Sequence, residues 1–185
     1  MQQRLYSDSA AMQNLLEVVD ASNKTLCLMP VLSVQEQHLP CKAVGLLLRD
    51  RSGRFLLTHR QEVGWDVSSF YLLRAGHSHE QTASELLHGD WGQEGCVHAL
   101  GLVSPDPGGS PTFTYLYEAR IPTTLAHNAA RDAASHLLVD YDELHGLTAN
   151  FASIFSPLLC KAVQAGLVRP RCRTMAASST AVTSG

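Results

Sequence analysis

Six consecutive apolar residues, Ala43-Val44-Gly45-Leu46-Leu47-Leu48, constrain this chain more than any other segment. A run this short and this uniformly apolar suits a strand buried on both faces. Arg49-Asp50-Arg51-Ser52-Gly53-Arg54 has the chemistry of a turn, and Phe55-Leu56-Leu57-Thr58-His59-Arg60 returns as a second strand. The pair predicts a hairpin. A central strand covered on both faces needs a layer of structure on each side of the sheet.

The rest of the pattern supplies candidates for those layers. Residues 15–20 predict a strand, Ala21-Ser22-Asn23-Lys24 a turn, and residues 25–29 a second strand stopped by Pro30. Ser33 as an N-cap predicts a short polar helix over 33–38, and Pro40 closes that piece. Residues 61–64 form a loop, and 65–73 hold one or two short extended pieces. Thr82, Ala83, Leu86 and Leu87 recur at helical spacing, which predicts a central helix over 80–90 ended by Gly92 and Gly95. Strands are expected at 96–103, 112–119 and 136–139, with a Pro- and Gly-rich loop over 104–111. Asp142-Glu143-Leu144 begins a helical turn, and Ser156-Pro157 opens a helix through about Ala165. The order is α+β, a mixed β-sheet core sandwiched by helices, and not a βαβ repeat. It divides into an N-terminal segment over 1–14, a domain over 15–168 and a mobile tail over 169–185.

Composition excludes several function classes. The chain has 185 residues and is 45% hydrophobic, as for one globular domain. A formal net charge of −3 gives no basic footprint for a nucleic acid duplex. No apolar run approaches the ~18 residues of a membrane-spanning helix. The first residues lack the apolar core of a signal peptide. Cys27, Cys41, Cys96, Cys160 and Cys172 are scattered and odd in number, which argues against a disulfide framework and for reduced thiols in a cytoplasm.

The order from the apolar strand through the His59-Arg60 strand end, Trp65-Asp66-Val67-Ser68 and the small helix closed by Gly92 resembles the Nudix superfamily. The preceding hairpin, with Glu17-Val18-Val19-Asp20 and then Leu39-Pro40, looks like the branch related to isopentenyl-diphosphate isomerase. The family signature is a helix written G-x5-E-x7-R-E-U-x-E-E-x-G-U, with U apolar. The resemblance implies a Nudix fold, hydrolysis of a nucleotide-linked or other organic diphosphate, and a divalent metal, Mg²⁺ or Mn²⁺, held by carboxylates on one helical face. It also implies a small-molecule diphosphate or nucleotide ligand, without a membrane, and is compatible with a homodimer.

Set on that signature without gaps, Glu85 stands at the Arg position, Leu86 at the first metal Glu and Gly89 at the second; Asp90 keeps a carboxylate, one methylene short. His77 replaces the Glu that follows Gly76. The box is therefore degenerate. Candidate metal ligands are Asp90, Glu85, His88 and His77; histidines would favour Zn²⁺ or another transition metal over Mg²⁺. His79 and Glu80 extend that polar set, and its alternative is a solvated helix face. Glu85, Asp90 and Glu143 are the catalytic candidates, although Glu143 equally suits a helix N-terminus. Arg49 and Arg60, with Arg51, Arg54 and His59 nearby, could contact phosphate or line a charged hairpin edge. Trp65 and Phe70 could stack a base or pack a core. The isomerase branch uses a cysteine in the stretch just after the Trp, and the stretch after Trp65 has none; Cys41 stands where a metal His would be. Two functions follow: a diphosphate hydrolase with altered, weak or absent activity, or a non-catalytic module binding a nucleotide, metabolite or protein partner.

Overall fold

The computed structural model describes residues 14–105 and 111–170. The N-terminal segment except Asn14, residues 106–110 of the expected loop and the tail beyond Pro170 lie outside these residues. β1 (Leu15–Val19) and β2 (Thr25–Pro30) form an antiparallel hairpin. The Asp20 carboxylate closes its turn by accepting the N–H groups of Ser22 and Lys24 at 2.8 and 2.9 Å. β3 (Cys41–Asp50) and β4 (Phe55–Arg60) form the second hairpin. β5 (Gly64–Asp66) and β6 (Ser69–Leu72) are the two short extended pieces.

β3 organises the sheet. It pairs antiparallel with β1, β4 and β6, and parallel with β8 (Thr112–Ile121), in register from Cys41↔Thr112 to Asp50↔Ile121. β7 (Val97–Val103) pairs with β8, and β9 (His136–Val139) with β4. The sheet is mixed, as the sequence predicts. All of β3 except Lys42 is buried, and its alternation sends side chains to two cores. Leu47 joins Phe55, Val67, Leu116 and Leu159 on one face. Leu46 and Leu48 join Leu56, Ala83, Leu86 and Leu87 on the other.

Helices cover both faces. α1 (Val31–Glu36) packs Val34 against Leu16 and Val18 of the first hairpin. α2 (His79–Trp91) covers the second core, as does α3 (Thr123–Ala129) through Ala126. α4 (Tyr141–Asn150) and α5 (Pro157–Gln164) cover the first core with Leu144, Leu159 and Val163. Ser78 caps α2 by accepting the Gln81 N–H, and left-handed Gly92 ends it, its N–H bonded to the His88 carbonyl. Ser156 caps α5 in the same way through the Leu159 N–H.

Two expectations change. α1 starts at Val31 rather than being capped by Ser33, because Pro30, with φ −58°, stops β2 and leads directly into the helix. α3 was not expected: Pro122 precedes it, no side chain caps it, and its only buried residue is Ala126. A helix with so little apolar periodicity leaves no signal in the sequence. Among the described residues no helix is long and apolar enough to cross a membrane.

Candidate functional site

The site is built where β6 leaves the sheet and α2 begins. Ser68 holds this crossing: its hydroxyl donates to the Leu56 carbonyl and accepts the Leu48 N–H at 2.8 Å. β6 then runs antiparallel along β3 from Leu46↔Ser69 to Ala43↔Leu72. Beyond it Arg74 bridges to Leu16 of β1, and the Ala75 N–H donates to the Leu15 carbonyl. The Glu17 carboxylate meets Lys42 at 2.6 Å, and its pKa is held below the usual carboxylate range, chiefly by the Lys42 hydrogen bond. The chain thus enters α2 over a pinned edge of the first hairpin.

Three cavities follow β6. One of about 220 Å³ lies beside α2 and is lined by Tyr71, Arg74, His77, Thr82, Glu85 and Leu86. Tyr71 and Arg74 also border a cleft of about 720 Å³ whose walls include Leu16, Val31, Leu32 and Leu72. Phe70 borders that cleft and a third cavity, of about 530 Å³, which reaches Arg60, Asp66 and Ser156. The two larger volumes fall within the range of small-molecule sites.

Polar groups line all three cavities. The Arg74 guanidinium donates to the Tyr71 hydroxyl, its Cζ lies 5.4 Å from the Tyr71 ring centroid, and it meets no carboxylate among the described residues. Glu85 accepts from the Gln81 side chain at 2.8 Å. Asp66, 5% exposed, accepts the Ser156 hydroxyl and the Val67 N–H, and lies 3.3 Å from Arg60 Nε. Burial pushes the Asp66 carboxyl above its usual range, against the opposing effect of these donors.

The structure sorts the sequence candidates. Glu85 and His77 share the cavity beside α2, and Arg60 and Phe70 share the third cavity. His88 and Asp90 are exposed, and no hydrogen bond or ion pair joins Glu85, His88 and Asp90. His79 turns to the sheet instead, stacking 4.1 Å from Tyr115 and meeting the Tyr117 hydroxyl. Arg49 is buried, pairs with Glu118 at 2.9 Å and lies 4.2 Å over the Phe55 ring. Trp65 packs against the first core and meets His59 edge-on at 5.0 Å. Glu143 completes the capping box of α4, its carboxylate accepting the Asp140 N–H at 2.9 Å. Sequence reasoning missed Tyr71, Arg74 and Ser156 in these cavities; the aromatic pair Phe70-Tyr71 ahead of Arg74 was the available signal.

These residues do not fit the divalent metal of the family signature. Leu86 is apolar and packs into the second core, Gly89 has no side chain, and Asp90 is the single carboxylate of the three positions. One carboxylate is a poor Mg²⁺ site, because Mg²⁺ gives up water reluctantly. Among the described residues no three His, Cys, Asp or Glu side chains gather in a metal-holding group.

The fold defines a class: a mixed sheet packed between two layers of helices. A crystal structure of a protein from Deinococcus radiodurans matches with a TM-score of 0.60 at 16% identity, covering 82% of this chain and 97% of that one. A mutT/nudix family protein from Listeria innocua matches with a TM-score of 0.52 at 18% identity, covering 67% of this chain and 92% of its own. The chain has the Nudix fold. No family model and no curated protein matches its sequence.

Proposed function

We propose that this chain is a Nudix-fold protein that binds a small phosphorylated molecule, a nucleotide or other organic diphosphate, without cleaving it by the family's magnesium route. One observation carries the reading: two of the three helix positions that would bring metal carboxylates hold a core leucine, Leu86, and a glycine, Gly89. A cavity of about 220 Å³ remains beside Leu86, and two larger ones of ligand size lie elsewhere on the molecule, with Arg74 shared by the first cavity and the cleft and Arg60 in the third. A fold does not carry its chemistry without the side chains that perform it. A binding function needs only the cavities and their polar groups, and those are present.

The test is calorimetry of the full chain with Mg²⁺, Mn²⁺ and Zn²⁺, followed by a screen of nucleoside and other organic diphosphates for binding and turnover. The reading expects ligand binding without turnover. Tight Mg²⁺ binding together with turnover abolished by Asp90→Asn would overturn it and establish the hydrolase.

A further inference from the structure

We infer that Arg74 supplies the positive charge that a metal ion does not: with the Tyr71 hydroxyl it forms a metal-independent seat for one phosphate or similar anion, whose apolar body lies in the cleft against α1. This rests on the reading above that the ligand is a small phosphorylated molecule, and it names the seat and the ligand class.

An Arg side chain carries five N–H donors in a fixed fork. Arg74 uses one of them on the Tyr71 hydroxyl oxygen, which leaves the hydroxyl proton free to donate elsewhere. No carboxylate neutralises this guanidinium among the described residues, although it is only half-exposed and borders two cavities at once. A planar guanidinium beside a hydroxyl donor matches two oxygens of a phosphate. The Tyr71 ring lies beneath the guanidinium and limits its freedom before any ligand arrives.

The surroundings give the anion a direction. Toward α2 the smaller cavity contains the Glu85 carboxylate, which repels a second negative group placed there. On the other side the cleft of about 720 Å³ is walled by Leu16, Val31, Leu32 and Leu72. Leu32 is 71% exposed, an apolar side chain that a ligand would cover. The charge pattern therefore selects a ligand with a compact anionic head at Arg74 and an apolar chain or ring extending over α1.

The experiment titrates the full chain calorimetrically with methyl, butyl and octyl phosphate in EDTA, then in excess Mg²⁺. The expected result is binding in EDTA that Mg²⁺ does not strengthen, with affinity rising by up to about fourfold per methylene covered. Arg74→Gln weakens octyl phosphate by about tenfold or more. Leu32→Asp, at an exposed position, flattens the dependence on chain length. A requirement for Mg²⁺, an unchanged Arg74→Gln, or affinity independent of chain length overturns the inference. Where circular dichroism shows Arg74→Gln unfolded, the Leu32→Asp series and the EDTA comparison decide. Failure here is distinct from failure of the binding reading: metal-dependent turnover of a diphosphate sinks both, whereas a nucleotide bound without turnover beside no octyl phosphate binding sinks this inference alone.

Discussion

Leu86 and Gly89 stand three residues apart on α2 and meet opposite surroundings. Leu86 is 9% exposed within the second core, while a Cβ added at Gly89 would meet nothing within 4 Å. One position is committed to packing and the other to nothing at all. Glycine in a helix interior costs about 1 kcal/mol against alanine through its backbone entropy. Gly89→Ala should therefore raise the unfolding free energy by about 0.5–1 kcal/mol, read as a shift of the urea midpoint at unchanged slope. A loss of stability would mean that α2 needs flexibility at this point.

Leu86→Ala should do the reverse. It removes a side chain shared by the core and the cavity beside α2, at a cost of about 2–4 kcal/mol. Part of that cavity already stands open to Leu86, so the lower end of the range is expected. Equilibrium unfolding checks the value, and a cost near zero would place Leu86 outside the core.

Asp66 and Ser156 lie 90 positions apart in sequence and share one hydrogen bond. Ser156 has two tasks: its hydroxyl donates to the buried Asp66 carboxylate and accepts the Leu159 N–H that begins α5. Ser156→Ala removes the cap, worth about 1 kcal/mol, and leaves Asp66 short of a donor, worth about another 1–3 kcal/mol. A combined loss of about 2–4 kcal/mol is expected in denaturant unfolding. A loss below about 1 kcal/mol would mean that the cap alone matters.

This pair also marks how far the sequence could be read. The Ser156-Pro157 helix start was legible, because an N-cap serine before a proline is a local signal. So were both hairpins, the doubly buried β3 and the limits of α2. The partnership of Ser156 with Asp66 was not legible, because only the fold brings β5 to the start of α5. The ten-residue parallel pairing of β3 with β8 is hidden for the same reason. At the site, the departures at Leu86 and Gly89 were visible directly. Arg74 was marked only by the aromatic pair before it, since its place between two cavities comes from the fold.

Gly64 illustrates a backbone requirement. Its φ is +79°, and an added Cβ would stand 2.3 Å from the Ile154 carbonyl oxygen. That close approach seats the 3-10 turn Ala152–Ile154 against β5, followed by the Trp65↔Phe155 bridge and the Ser156 N–H to the Trp65 carbonyl. Gly64→Ala meets both strain and a clash with backbone, and should cost about 2 kcal/mol or more in denaturant unfolding. It should also disturb the Asp66–Ser156 contact, so the losses from Gly64→Ala and Ser156→Ala should not add.

Glu17 gives the pH dependence. Its pKa lies below the ordinary value of 4.5, first through the Lys42 hydrogen bond and then through Thr25. A carboxylate with a depressed folded-state pKa contributes stability that is fully present above the unfolded value and disappears as pH falls through the folded one. The contribution is therefore expected in full at neutral pH and is lost progressively once pH drops below 4.5. Glu17→Gln should lower stability by about 0.5–1 kcal/mol at neutral pH, because the pair is partly exposed. The gap between wild type and variant should close as acid protonates the wild-type carboxylate. Parallel stability curves for the two proteins down to low pH would show that Lys42 and Glu17 are neighbours without energetic consequence.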